Sequence, residues 1–156
     1  MRWILAAAML VMSASNEAAG QVGAMPSGPV PLYGVTVDAV DNVPAVVDAL
    51  SHLSRTPTVR VVFDEGMDAP HYVGPVVAIR DVAYVMGELA DSSTLKQYTT
   101  LQLRQRAAAY LHTLGSNVDV WEIGNEINGE WTGPTRDVID KTMAAYEVIK
   151  AGGGRT

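Results

Sequence analysis

The feature that most constrains this chain is a regular exchange of two hydrophobic periods along its length. Short β-branched runs at 33–37, 58–63 (TVRVVF), 82–89 and 117–123 read as strands. Between them the apolar residues recur at helical spacing. Val43, Val46, Val47, Leu50 and Leu53 predict a helix over 43–54, opened by Asn42 as N-cap with Pro44 just inside. A second helix is expected over 70–80, weakened by Gly74 and Pro75. The clearest helix spans 95–114, with Leu101, Leu103, Ala107, Ala108, Leu111 and Leu114 on its apolar face and Gly115 as its stop. Pro134 and Thr135 open a last helix over 136–150, with Val138, Ile139, Met143, Tyr146 and Ile149 expected inward. Residues 151–156 (AGGGRT) then read as a terminal turn.

Strand and helix alternating at ~30 residues per unit argue for a parallel sheet with helical crossovers, an α/β fold. Two architectures satisfy that order. One is a small doubly wound sheet of four parallel strands. The other is the first half of an eight-stranded (β/α)8 barrel, the TIM-type fold, which needs about 250 residues when complete. The chain has 156 residues and stops after a helix, where a fifth strand would begin, so the half-barrel is the expected fold.

The amino terminus stands apart from this pattern. Arg2, the ten-residue apolar run 3–12 and the small residues Ser13, Ala14 and Ser15 have the layout of a secretory signal. The run is short of the ~20 apolar residues that span a bilayer. Residues 1–20 are therefore expected to be a signal peptide, 21–31 a flexible lead-in rich in Ala, Gly, Pro and Ser, and 32–156 the barrel portion. The mature protein would be secreted or periplasmic, with no membrane attachment once the signal is cleaved. Cysteine is absent, which removes disulfides and thiolate chemistry, and the three histidines (His52, His71, His112) are scattered with no metal-ligand spacing. No metal or cofactor is expected. The formal charge is −6 without a Lys/Arg cluster, so nucleic acid is not an expected partner. No GxGxxG follows the first strand and no GxxxxGK[ST] occurs, which argues against nucleotide binding.

In parallel βα sheets, ligands meet the carboxyl ends of the strands. The residues there are Asp38, then Asp64 and Glu65, then Glu88 and Asp91, then Asn125 and Glu126. For Asp38, Glu65 and Asp91 the plainer expectation is a helix cap or a solvated loop. Regular alternation would put Glu122, Gly124 and Glu126 on one side of the fourth strand, with Gly124 leaving space beside Glu126. Glu122 and Glu126 would stand ~13 Å apart along that strand. Paired glycosidase carboxyls stand ~5 to ~9.5 Å apart. Glu122 is therefore expected to be a buried polar residue paired with Arg60, and Glu126 to need a partner from elsewhere. Trp131 follows on the loop, either to stack on a sugar face or to anchor the rim.

V-W-E-I-G-N-E at 120–126, continuing I-N-G-E-W, resembles the fourth-strand signature of the clan-A glycoside hydrolases, which include cellulases, xylosidases and arabinofuranosidases. Those enzymes are (β/α)8 barrels. The resemblance implies that Glu126 is the general acid/base and that Asn125 binds the sugar 2-hydroxyl. Arg60 in T-V-R-V-V-F-D matches an arginine that several families of the clan carry on strand two in support of the nucleophile. The resemblance covers about 33–150, and the nucleophile it implies, a Glu ending strand seven, has no counterpart here. Asp64, Glu65 and Glu130 match no family position, and Asp64 is kept as a substrate-binding candidate. The expected function is the amino-terminal part of a secreted glycoside hydrolase acting on O-glycosidic bonds of a carbohydrate substrate, with little turnover by itself. The alternatives are a non-catalytic carbohydrate-binding module, or a half-barrel that pairs with another copy or with a separate carboxyl-terminal half.

Overall fold

The structure is a computed structural model that describes residues 23–25 and 33–156. The signal peptide expected at 1–20 lies outside the described residues, as does all of the lead-in except 23–25. The elements run β1 (Gly34–Val37), α1 (Val43–Ser51), β2 (Thr58–Val62), a 3-10 turn (Ala69–Tyr72), α2 (Val73–Arg80), β3 (Tyr84–Glu88), α3 (Ser92–Leu95), α4 (Thr100–Leu114), β4 (Val120–Glu122), a second 3-10 turn (Glu130–Thr132) and α5 (Thr135–Ala151). The four strands form one sheet in the order β1-β2-β3-β4, and every neighbouring pair is parallel. The fold is thus α/β, a parallel sheet with helices alternating between its strands.

Strand parity explains where the core sits. Val59, Val61, Phe63, Val85, Leu89 and Trp121 share one face, are at most 2% exposed, and join helix residues such as Tyr72, Ile79, Leu103, Tyr110 and Ile149 in a single core. Phe63 is its centre, with ring centroids 4.7 Å from both Tyr72 and Tyr110 and 6.4 Å from Trp121. Gly87 on β3 makes room for it. A Cβ at that position would lie 2.7 Å from the Phe63 ring. The other face carries the register rows Thr36–Arg60–Met86–Val120 and Val62–Glu88–Glu122, and it contributes nothing to that apolar core.

Several element boundaries differ from expectation, most by one or two residues, and the larger differences at the helices have local reasons. The helix expected over 43–54 ends at Ser51, because Leu53 N–H bonds back to the Leu50 carbonyl and tightens the last turn. The helix expected over 70–80 begins as a 3-10 turn, with Pro75 in the first turn of α2, where an amide N–H has no intrahelical partner. The long helix expected over 95–114 begins only at Thr100, and Leu95 is instead the last residue of the separate short α3. Thr99 caps α4 in a reciprocal box: its hydroxyl accepts from Gln102 N–H at 3.2 Å, and the Gln102 side chain accepts from Thr99 N–H at 2.8 Å. That new start turns Leu101 outward, 61% exposed, and leaves Ala108 exposed, while Leu103, Ala107, Tyr110 and Leu114 are buried. The β4 ladder is limited to Val120–Glu122 rather than 117–123.

On α5 the inward face is also rotated. Val138 and Ile149 are buried as expected, but Ile139, Met143 and Tyr146 are 50, 48 and 39% exposed. Lys141 and Ala145 take the inward positions instead. Ala145 is buried on the helix that packs against α4. Lys141 buries its stem, pairs with Asp137 at 2.6 Å, and donates at 3.2 Å to the Leu95 carbonyl that ends α3. Residues after α5 are more than a turn, because Trp121 N–H donates to the Arg155 carbonyl at 2.8 Å along the free edge of β4.

Filling the space that Phe63 uses should cost stability directly. Gly87→Ala is expected to lower the unfolding free energy by ~1–3 kcal/mol through overpacking. Chemical denaturation would show this as an earlier midpoint, and an unchanged midpoint would mean that the Phe63 ring moves aside freely.

Candidate functional site at the carboxyl ends of the strands

Because all four strands are parallel, their carboxyl ends share one end of the sheet. That end carries Asp38, Asp64, Glu88, Asp91, Asn125 and Glu126. Each side chain has a distinct setting.

Arg60 projects from β2 onto the face opposite the apolar core. Its Nε donates to Glu122 Oε2 on β4, and its Nη2 stands 2.8 Å from Glu88 Oε2 on β3. The expected pairing of Arg60 with Glu122 is present, but Glu122 is half-buried rather than buried, because it ends the edge strand β4. Glu88, which the sequence sets at the carboxyl end of the third strand without a role, gains its partner and its depth from the structure. It is fully buried, and burial pushes its carboxyl up to about 7, with Arg60 opposing and Glu122, Asp91 and Asp38 adding to the rise. The parity shared by Arg60 and Glu88 in neighbouring strands was the available signal.

Asn125 continues the β4 line. Its N–H donates to the Ala90 carbonyl at 3.0 Å and its side chain to Asp91 Oδ2 at 3.3 Å. Asp91 also caps α3 through Ser93 N–H at 2.8 Å, as its plainer expectation held. Hydrogen bonds from Ser93, then from Asn125, hold its carboxyl below the ordinary range. Glu65 accepts from the Thr94 hydroxyl at 2.5 Å, which makes it a loop tie. Asp64 is bound locally to Tyr72: the hydroxyl accepts from Asp64 N–H at 2.7 Å and donates to Asp64 Oδ2 at 3.2 Å. Burial pushes the Tyr72 hydroxyl up to about 12.

Glu126 is exposed and departs from strand geometry. Its φ of 44° is the one positive value at a non-glycine residue among those described. Regular alternation therefore ends at Asn125, and the side of the sheet inferred for Glu126 from period two does not carry over. Such a conformation costs an L-residue ~1–2 kcal/mol, and strain of this kind concentrates at functional sites. The open space expected over Gly124 is occupied instead. A Cβ there would lie 2.9 Å from Ile127 Cγ2. Trp131 is 57% exposed, with its indole ring laid over Gly129. A cleft of ≈ 580 Å³ borders this loop and is lined by residues including Ile127, Gly129, Pro134, Val138, Ile139 and Thr142.

A structural support at this end of the sheet could not be seen in the sequence. Arg106 reaches from α4 to the ends of two strands, donating to the carbonyls of Phe63 at 2.6 Å, Asp64 at 2.9 Å and Leu89 at 2.7 Å. Its guanidinium lies 4.5 Å from the centroid of the Tyr110 ring. It fixes the platform from which Asp64 and Asp91 extend. A cleft of ≈ 560 Å³ at the amino end of β4, near Ser116 and Asp119, is about as large as the one beside Trp131, so volume does not choose between the two ends.

Among the described residues, no group of three or more Asp, Glu and His side chains is arranged to hold a metal ion. None of their helices is long and apolar enough to cross a membrane. Comparison with protein-family models, with curated proteins and with solved structures finds no match to this chain.

Relieving the backbone at Glu126 should separate stability from chemistry. Glu126→Gly is expected to raise the unfolding free energy by up to about 1 kcal/mol, whereas Glu126→Gln should leave it within ~0.5 kcal/mol of the parent. Denaturant midpoints of the two variants measure this, and equal midpoints would mean that the left-handed turn carries no strain.

Proposed function

We propose that this chain forms the first four βα units of a glycoside hydrolase barrel, with Glu126 as its general acid/base and Asn125 as the residue that binds the sugar beside it. The observation that carries the proposal most is the position of the Asn125–Glu126 pair. It follows β4, the fourth strand of an all-parallel sheet, at the end where such sheets bind ligands.

Three further features support it. The strand order β1-β2-β3-β4 has no reversal, and the apolar core occupies one face, as in a sheet wound in one direction toward closure. The bond from Trp121 N–H to the Arg155 carbonyl follows the same pattern as Phe63 N–H to Glu88 and Leu89 N–H to Glu122, each from a strand to its successor. The segment after α5 thus lies where a fifth parallel strand would join. The face opposite the core carries Arg60, Glu88 and Glu122 in the polar layer that a barrel interior would enclose.

In the proposed reaction Glu126 donates a proton to the leaving glycosidic oxygen and later removes one from water. Asn125, tied to Asp91 and Ala90, holds its amide in place for a sugar hydroxyl. The exposed Trp131 ring offers a stacking surface. Secretion or a periplasmic site, and association with a complementary half-barrel, belong to the same proposal. A carbohydrate-binding module is the second reading, favoured by the exposure of Trp131.

The coding sequence beyond Thr156 is expected to continue in frame through four further βα units to a Glu closing the seventh strand. In that full protein, Glu126→Gln should lower kcat by ~10²–10⁴-fold on a substrate with a poor leaving group. The 156-residue chain by itself should show little or no glycosidase turnover. Robust activity of the short chain, or a full protein indifferent to Glu126→Gln, would contradict the assignment. Glycan binding that survives Glu126→Gln without any hydrolysis by the full protein would favour the binding module.

A further inference from the structure

Arg60, Glu88 and Glu122 place one guanidinium between two carboxylates on three adjacent strands. The layer is one negative charge in excess. Its middle member, Glu88, has no solvent exposure. Its oxygens make no hydrogen bond of good geometry among the described residues, and the ion-pair contact to Arg60 is what holds it. The groups acting on it come from each neighbouring segment: Arg60 from β2, Glu122 from β4, Asp91 from the turn after β3 and Asp38 from the turn after β1. Three of those four are acidic, so the surroundings add to the excess.

We propose that this layer is a proton-operated latch, in which Glu88 takes up a proton from solvent and thereby locks β2, β3 and β4 together. With Glu88 protonated, Arg60 is free to serve Glu122 alone and the layer is neutral. With Glu88 ionised, the layer carries its excess charge on a carboxylate that is itself buried, while Arg60 and Glu122 keep partial exposure, and burying that charge is costly. The carboxyl end of β3 is the part that loosens. Leu89 N–H donates to the Glu122 carbonyl, and the Ala90 carbonyl accepts from Asn125 N–H, so the backbone of the candidate site hangs on the residues immediately after Glu88. The latch therefore links proton uptake to the order of the Asn125–Glu126 turn. It does not depend on the glycosidase reading.

The direction in pH follows from the raised carboxyl. A group held at about 7 when folded and 4.5 otherwise binds its proton more tightly in the folded chain. Its contribution is complete below the lower value and is lost as pH rises toward and through the upper one. One proton changes the folding equilibrium by at most about ten-fold per pH unit.

Two measurements test the latch. Urea unfolding of the parent chain and of Glu88→Gln, between pH 5 and pH 8, compares their pH slopes, and the histidines common to both cancel in the difference. The parent should lose stability across that window. Glu88→Gln, which copies the neutral carboxyl, should show a flatter profile and exceed the parent at pH 8. Carbon-detected NMR titration of the Glu88 carboxyl in the parent chain covers the case in which the variant does not fold, and should place the midpoint well above 4.5. Equal slopes in parent and variant, or a Glu88 carboxyl that titrates in the ordinary glutamate range, would overturn the proposal.

Discussion

Most of this structure depends on how Phe63 is accommodated. Its ring touches Tyr72 and Tyr110 from the helical layer and approaches Trp121 across the sheet, and it occupies the space that any side chain at residue 87 would need. A glycine inside a strand is a cost in backbone entropy. Here it admits an aromatic cluster that joins β2, β3, β4, α4 and the turn before α2. With the apolar core gathered on that face, the alternate residues of the same strands necessarily point the other way. They carry the charged layer. The one-sided core and the polar opposite face are consequences of a single parity.

Two arginines then manage the polar backbone and the buried charge. Arg106 acts just past the ends of β2 and β3, donating to the carbonyls of Phe63, Asp64 and Leu89 where the strand ladder stops. A planar guanidinium reaches three of them at once while lying against Tyr110, a geometry that lysine does not reproduce. Arg60 acts within the sheet, between Glu88 and Glu122. Its position makes the opposite face tolerable without making it neutral. The candidate site is built directly on these two supports, through Asp64, Ala90, Asp91 and Asn125.

The order of elements was legible in the sequence because strands and helices differ in period, and four exchanges of period leave few alternatives. The ends of the elements were less legible. Thr99–Gln102 is a capping box lying inside an apolar pattern that reads as continuous helix, and the pattern masked it. The inward face of α5 was misread because Ile139, Met143 and Tyr146 are more apolar than Lys141, whereas Lys141 has the stem and the partners to be buried. The Arg60–Glu122 pair could be read from parity. The depth of Glu88 could not, because alternation gives a side and not a burial. Arg106 gave no local signal, since its partners are backbone carbonyls contributed by distant residues. The left-handed turn at Glu126 was also invisible, because that conformation is unusual for glutamate and nothing in its neighbours demands it.

Glu126 is therefore the residue on which the functional proposal rests, as an exposed carboxylate on a backbone conformation that its side chain disfavours, beside an amide fixed by Asp91. The most direct measurement is amide chemical-shift mapping of the chain titrated with soluble oligosaccharides representing β-linked glucans, xylans and arabinans. A sugar site at the carboxyl ends of the strands predicts saturable shifts centred on Asn125, Glu126 and Trp131. Saturable shifts centred instead at the amino end of the sheet, around Ser116 and Asp119, or no saturable shifts with any of these sugars, would contradict it.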